Sequence, residues 1–515
     1  MSLMKKTIKF LLILIICSSL GRCVNKKKSS SEFSRNVYEF TIFQLNDVYE
    51  IAPIQNGNYG GMARVETIRK ELLRENKNTL TVLAGDFLNP SLLGTIKVDG
   101  NRVRGKQMVE VMNAMNFDVV AFGNHEFDLI FSNLQKRINE SNFDWISSNV
   151  LHQVNGKKRK FYKEKKNVKT DLKETFIKEF NFGKDQKLKV GFISVCIPSN
   201  PKNYVFYGNV YDEIKRSYNA LKPKVDIVLG LTHLTIEQDK KVALMLPEIP
   251  LIMGGHEHTN SYDRVGNVII TKADANAKTA YIHRFKYDPK THKVSFKSEL
   301  KEISKDIALD KKVSTIVNKW QNLLKTKIKE VVNNPEEIIY TVNDSLEARD
   351  TPIRSIQTNM GDLITEAMSF AYKDKVDCAL VNGGSIRIDD VLYGAINAID
   401  IFKVLPYGGS ILKVKLRGNL LLKVLDYGAN ASGTGAFLQK YNVKKQFDKW
   451  IINNQELIED KEYMVAISDY LLKGFDIPFL NSKNKNVLNI YQPQKEEAAT
   501  DIRKAVIMYL KNKRN

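Results

Sequence analysis

The sequence predicts an α/β protein of two domains joined by a helix, and three observations predict it. From residue 38 to about 300, short apolar runs of strand character alternate with segments whose apolar residues recur at helical spacing. Residues 305–333 keep helical spacing with few breakers, and a second mixed stretch fills 336–515. At 515 residues the chain also exceeds what a single hydrophobic core serves.

Taken in order, the elements read as follows. "YEFTIFQLND" is a strand in which Tyr38, Phe40 and Ile42 alternate, and "GGMARVETIRKELLREN" is an amphipathic helix. "LTVLAGD" is a strand, "GKQMVEVMNAM" a helix and "FDVVAFGN" a strand. "LKVGFISV", "VDIVLGLTH" and "IPLIMGG" are buried-strand runs, and "NVIITKAD", "AYIHRFKYD" and "KVSFKSELKEI" read as a closing β meander. A layered α/β domain over 38–304 follows, then a linker helix within 305–335 ended by Asn333-Asn334-Pro335. The second domain, 336–515, opens with the strand-like "EEIIYTV".

The amino end has the form of a secretory leader: Lys5, Lys6 and Lys9 lead into "FLLILIICSSL", too short for a mature membrane span. Cys23 in "SLGRC" stands where a lipid-modified cysteine would sit, although Arg22 departs from the usual small residue there. Residues 1–23 are therefore expected to be a leader and 24–37 a polar tether, with the protein exported to a periplasm or cell surface. Cys196 and Cys378 sit far apart in apolar runs and imply no disulfide framework. The formal charge of +21 comes from scattered lysines without interleaved aromatics, which excludes a nucleic-acid module. No obligate protein partner is indicated.

The chemistry gathers at strand ends. Asp47 follows the first strand, Asp86 lies in "AGDF", and Asn124, His125 and Asp128 lie in "GNHEFD". His233 lies in "LTHL", and His256 and His258 in "GGHEH". Four of the 7 histidines fall in these motifs, each directly after an apolar run, so all are expected on one sheet edge at its carboxyl end. Two divalent cations roughly 3.5–4 Å apart need a bridging carboxylate plus imidazole and oxygen ligands. Asp86 suits the bridge, Asn124 offers an amide oxygen, and the three later histidines offer nitrogen. His125 can then face the substrate as a general acid, with Asp128 three residues on to hold its ring.

This ordered set resembles the calcineurin-like metallophosphoesterases, and residues 38–510 resemble the 5'-nucleotidase family. The resemblance implies a four-layer β-sandwich flanked by helices, linked by a helix to a mixed α/β nucleotide-binding domain. It implies two divalent metal ions, among Zn, Mn, Co, Fe or Mg. Asp86 would bridge them, Asn124, His233 and His256 would hold the second, and Asp47 and His258 the first, with His125 and Asp128 as the catalytic dyad. The family usually reads Asp-x-His where this sequence has Asp47-Val48-Tyr49. Tyr49 either ligates as a phenolate, favouring Fe(III) or Mn, or packs or touches substrate while water fills the vacancy.

In the second domain the resemblance places Arg349 and Arg354 in the basic lead-in "EARDTPIR", and Asn382, Gly384 and Arg387 in "LVNGGSIR". Tyr407 in "VLPYGG" and Tyr470 in "ISDYLLKGFDIP" fall at base-stacking positions, with Asp476 as the ribose contact. The family's Gly-Gly-Asp-Gly around that carboxylate is here Gly474-Phe475-Asp476-Ile477, which predicts an altered loop. The expectation is a metal-dependent phosphohydrolase acting on nucleotides, most simply a 5'-nucleotidase. The alternatives are 2',3'-cyclic-nucleotide, dinucleotide or nucleotide-sugar cleavage, or an inactive surface nucleotide-binding protein.

Overall fold

The computed structural model describes residues 37–199 and 201–514. The leader, the tether up to residue 36 and the lipid-attachment candidate Cys23 lie outside the described residues.

Four strands alternate with helices at the start of the first domain: β1 (Tyr38–Leu45), β2 (Thr79–Ala84), β3 (Val119–Ala121) and β4 (Asp144–Ile146). Between them lie α1 (Met62–Glu75), α2 (Lys106–Ala114) and α3 (Phe131–Glu140). The four strands are parallel neighbours in that order. The chain then builds a second sheet from β5 (Thr175–Gly183), β6 (Gln186–Ile193), β7 (Ile227–Leu231), β8 (Leu251–Met253), β9 (Ser261–Val265) and β10 (Val268–Lys272). Its spatial order is β5-β6-β7-β8-β10-β9, with α4 (Val210–Leu221) and α5 (Ile236–Met245) as crossovers. Finally β11 (Thr279–Asp288) and β12 (Lys293–Glu302) return to the first sheet, β11 running antiparallel to β1.

The two sheets pack face to face. Phe40, Ile42, Val82 and Val119 from one meet Phe180, Val190, Leu229 and Met253 from the other. Burial on both faces explains why β1 and β2 are nearly continuous apolar runs. Helices cover the outer faces: Val65, Ile68, Met112 and Ile138 lie over the first sheet, and Ile214 and Val242 over the second. The architecture is thus the expected four-layer sandwich.

Two expectations are corrected. The closing meander does not exist as one unit: β10 pairs parallel with β8 in the second sheet, and only β11 and β12 form a hairpin in the first. Three similar apolar runs in succession carry no information about which sheet each joins. For the same reason the site motifs do not share one sheet edge. Asp47, Asp86 and Asn124 follow β1, β2 and β3 of the first sheet, whereas His233 and His256 follow β7 and β8 of the second.

Helix α6 (Lys311–Lys329) is capped by Asp310, whose carboxylate accepts the Val313 N–H at 3.0 Å. It buries Val313, Val317, Trp320, Leu324 and Ile328 along one stripe, and the Trp320 indole donates to Glu110 of α2 at 3.0 Å. The helix is therefore fixed to the first domain.

The second domain holds β13 (Ile338–Glu347), α7 (Asn359–Phe370), β14 (Cys378–Asn382), β15 (Val391–Asn397), β16 (Ile411–Arg417), α8 (Gly418–Asn430), β17 (Leu438–Tyr441), β18 (Glu462–Ser468), β19 (Val487–Tyr491) and α9 (Ile502–Arg514). Its central sheet runs β17-β14-β18-β16-β19, and β13 pairs separately with β15. Among the described residues, no helix is long and apolar enough to cross a membrane.

Candidate functional site

The two sheets end side by side, and their loops converge. Close approach there depends on missing side chains: a Cβ on Gly123 would collide with the Asp86 carboxylate, and one on Gly255 with the carbonyl of Ala84. Asp47, Asp86, His256 and His258 all adopt left-handed backbone, with φ of 53°, 57°, 91° and 58°. Non-glycine residues persist in that region only where the surroundings over-determine them.

Asp47 and Asp86 are fully buried. Asp47 Oδ2 accepts the His256 N–H at 2.9 Å and the Asn46 amide at 2.8 Å. Its Oδ1 lies 3.3 Å from His258 Nε2 and has no hydrogen-bond partner. Asp86 Oδ1 accepts the His125 N–H at 2.7 Å, and its Oδ2 stands 3.1 Å from His233 Nε2. His233 Nδ1 lies 2.7 Å from the carbonyl of Ala84, which assigns the proton to that nitrogen and leaves the Nε2 lone pair facing inward. That lone pair meets two oxygens, Asp86 Oδ2 and the Asn124 side-chain oxygen at 3.2 Å.

Acceptors facing acceptors in a buried site call for positive charge. Without a cation a proton takes that lone pair: burial opposes it, yet Asp86 and Asp47 push the His233 pKa up to about 10. Burial would likewise raise Asp47, but His258 and His233 hold it well below the usual carboxylate range. Ligand atoms of Asp47, Asp86 and His258 lie within 4.8 Å of one another. The donor set and the orphaned Asp47 oxygen therefore fit divalent cations. His256 joins through ring packing on His233, at 5.4 Å between centroids, and burial followed by the His233 charge lowers its pKa to about 4.

Tyr49 enters this cluster: its hydroxyl lies 3.3 Å from Asp86 Oδ2 and 2.8 Å from His258 Nε2. Burial, then Asp86, drives its phenol pKa well above the ordinary value in the absence of a neighbouring cation. Its backbone N–H is fixed on the Asn276 side chain at 3.1 Å.

His125 and Asp128 share one turn of 3₁₀ helix, which brings Nδ1 to 2.8 Å from Asp128 Oδ2. Burial opposes the imidazolium, but Asp128 and Asp86 raise the His125 pKa above its ordinary value. Arg387 reaches across from the second domain, its Nη2 3.3 Å from Asp128 and 3.4 Å from His125 Nδ1.

Arg387 also lines a cavity of about 640 Å³ between the domains. Asp128, Arg354, Asn382, Gly384, Tyr407, Tyr470 and Asp476 line it as well. Asp476 accepts from Asn382 Nδ2 at 2.7 Å and from the Tyr470 hydroxyl at 3.0 Å. Tyr407 and Tyr470 stay 46% and 38% exposed, so each ring keeps accessible surface, with Phe475 tilted against Tyr470 at 5.6 Å between centroids. In the altered loop only Gly474 has a positive φ, 74°, so Phe475 and Ile477 occupy ordinary backbone without strain. Arg349 is the one expected residue that the structure keeps away: its guanidinium is exposed and bound to Glu347 at 2.9 Å.

Sequence reasoning overlooked several residues. Glu126 is fully buried and accepts four backbone N–H groups, from Asp86, Phe87, Leu88 and Gly123, at 2.7–3.1 Å. It thereby staples the two loops that carry Asp86 and Asn124. Its place inside "GNHEFD" was a signal, but an acid between a histidine and a phenylalanine reads as a surface residue. Lys272, also buried, donates to the carbonyls of Leu234 and Gly255 at 2.6 and 2.8 Å and pairs with Asp239 at 3.0 Å. It ties the His233 loop to the His256 loop. Arg102 and Lys202 add positive charge to the cavity wall, whereas Lys473 there pairs with Asp469 at 2.8 Å, and nothing local in the sequence marks them.

A carboxylate–imidazole cluster fit for divalent cations, beside an acid dyad and an arginine fork, defines a metal-dependent phosphoester hydrolase. Comparisons with known proteins agree. Residues 40–260 match the calcineurin-like phosphoesterase family and residues 338–481 the 5'-nucleotidase C-terminal domain. The chain is 25% identical to human 5'-nucleotidase over 459 residues, covering 80% of this chain and 76% of the relative. It is equally 25% identical to the venom 5'-nucleotidase of Crotalus adamanteus, covering 80% and 74%. In fold it is similar to the 5'-nucleotidase precursor of Thermus thermophilus, with a TM-score of 0.67 at 20% identity, over 92% of this chain and 96% of the other. The chain belongs to the 5'-nucleotidase family.

Proposed function

We propose that the protein is an exported phosphohydrolase that converts nucleoside 5'-monophosphates to nucleoside and inorganic phosphate. The observation that carries this reading is Arg387, which contacts the His125–Asp128 dyad and lines the same cavity as Tyr407, Tyr470 and Asp476. One end of that cavity suits a phosphoryl group and the other a nucleoside.

Asp47 and His258, with the Tyr49 hydroxyl beside them, would hold one divalent cation; Asn124, His233 and His256 would hold the other; Asp86 would serve both. When bound, the cations supply Lewis-acid polarisation and an acidified water. The protein's own groups do the rest. Arg387 and Arg354 present planar forks to the phosphoryl oxygens. Tyr407 and Tyr470 sandwich the base, and Asp476 and Asn382 bind ribose hydroxyls. Asp128 fixes the Nδ1 side of His125, so that Nε2 carries the proton delivered to the departing 5'-oxygen. The ligating role of Tyr49 rests on its hydroxyl's place between Asp86 and His258. Export rests on the leader-like residues 1–23, and attachment through Cys23 is checked by mass spectrometry of the mature amino terminus.

A second reading, cleavage of a larger or cyclic nucleotide, is favoured by the cavity's size and by the extra cations Arg102 and Lys202. Phosphate release from AMP, 2',3'-cyclic AMP, a dinucleotide and a nucleotide sugar, with Mn, Zn, Co or Mg and metal content measured on the same sample, tests both. A protein that takes up metal and binds nucleotide yet releases no phosphate from any of them would be the inactive binder.

A further inference from the structure

Asp389 belongs to the second domain, in the same loop as Arg387, yet its Oδ2 meets Nδ1 of His258 on the first domain. That oxygen is buried and has no other hydrogen-bond partner, while Oδ1 accepts the Asp350 N–H at 2.6 Å. On the opposite side of the ring, His258 Nε2 faces Asp47 and the Tyr49 hydroxyl. The imidazole is thus held between the candidate ligands of one cation and a carboxylate delivered by the other domain. Three further contacts of the loop cross the interface: Arg387 reaches Asp128 at 3.3 Å, and Asp390 accepts from Gln55 at 3.2 Å and pairs with Lys278 at 3.4 Å.

We propose that Asp389 is a positioning residue for the first metal site, tying that site's affinity for a divalent cation to the relative orientation of the two domains. The inference rests on the metallohydrolase reading. A carboxylate on the outer nitrogen of a ligating histidine fixes the tautomer, orients the ring and raises its basicity. The dependence is acute here, because with Tyr49 at its position His258 is the one imidazole among the candidate ligands of the first cation, His233 being turned to Asp86 and Asn124. The His258 ring packs edge-on against Tyr49, at 5.4 Å between centroids, and its side chain stays 18% exposed, so its Nδ1 side is defined by the Asp389 contact. The contact forms only where the domains meet in this arrangement. Any ligand that favours the arrangement, such as a nucleoside held in the interdomain cavity, strengthens cation binding, and the cation strengthens nucleoside binding by the same factor.

The test is a titration of metal-stripped full-length protein with Co²⁺, followed by calorimetry and visible absorbance without substrate. Asp389→Asn suits it: asparagine tolerates the φ of 48° at this position and can still accept the Asp350 N–H, while the charge facing His258 is lost. One of two equivalents should bind ~10-fold or more weakly, with an altered absorbance band, and the other should be unchanged. Adenosine should tighten that equivalent in the wild type and do so less in the variant. In a His258→Ala background, Asp389→Asn should add nothing further. Unchanged affinity for both equivalents, or an equal loss in the His258→Ala background, would overturn the proposal while leaving the metallohydrolase reading in place. A wild-type protein that takes up a single equivalent or none would overturn both.

Discussion

Glu126→Gln changes one atom, and the structure sets the size of its effect. Glu126 Oε2 accepts the N–H groups of Asp86 and Gly123 at 2.9 and 2.7 Å, and Oε1 those of Phe87 and Leu88 at 2.8 and 3.1 Å. In glutamine one of these oxygens becomes an NH₂ group, so two buried donors face a donor instead of an acceptor. Each orphaned buried N–H costs about 1–3 kcal/mol, giving about 2–6 kcal/mol in total. Against a typical domain stability of about 5–15 kcal/mol that is a large fraction. The assay is urea unfolding of metal-free protein, paired with metal content after reconstitution. Because the loosened loops carry Asp86 and Asn124, metal content should fall even under conditions where the variant stays folded. A loss below about 1 kcal/mol, less than a single orphaned donor costs, together with full metal content, would refute the idea that Glu126 holds the site loops.

Other outcomes follow from the same geometry. Tyr49→Phe should lower metal content by one equivalent if the phenol is a ligand; two full equivalents by elemental analysis would remove it from the ligand set. Tyr470→Ala should raise KM for AMP in line with a stacking loss of roughly 1–3 kcal/mol and leave kcat nearly intact; a pure kcat effect would argue against stacking. His125→Ala should cut kcat by about 10²–10⁴-fold without altering metal content. Burial lowers the pKa of His283 to about 3, so the fold keeps it neutral while the unfolded chain takes up a proton below about 6.5. Stability should therefore decline by up to about 1.4 kcal/mol per pH unit as pH falls from about 6.5 towards 3. His283→Gln should flatten that slope in urea unfolding at pH 7.5 and 5.0, and an unchanged slope would contradict it.

The sequence exposed the parts of this molecule that depend on local pattern. β1 and β2 are apolar because both of their faces are covered, and a turn of positive-φ backbone follows each, so the strand, the turn and Asp47 or Asp86 are readable together. Pairing between distant strands was not readable. β10 reads as a strand just as β11 does, yet it joins β8 in the other sheet, because partner choice is settled by three-dimensional packing and leaves no local mark. The same limit hid Asp389 and Lys272, whose partners are far away in sequence. Arg349 is placed by a local partner: Glu347 binds its guanidinium, and the residue is not among those lining the cavity. The altered loop around Asp476 was legible as a departure but not as a harmless one, since only backbone angles show that Gly474 alone needs glycine's freedom.

The place of β1 in its sheet bears on how the chain is made. Tyr38 lies opposite Tyr287, so the first strand to leave the ribosome waits for one of the last strands of its domain. At roughly 5–20 residues per second, that interval lasts on the order of ten seconds or more, during which β1 offers an unpaired edge on one side. A chaperone or an export channel that keeps the nascent chain extended would serve folding as much as transport. A fragment stopped before residue 279 lacks the partner of β1 and should aggregate, whereas one extended through β12 should be soluble.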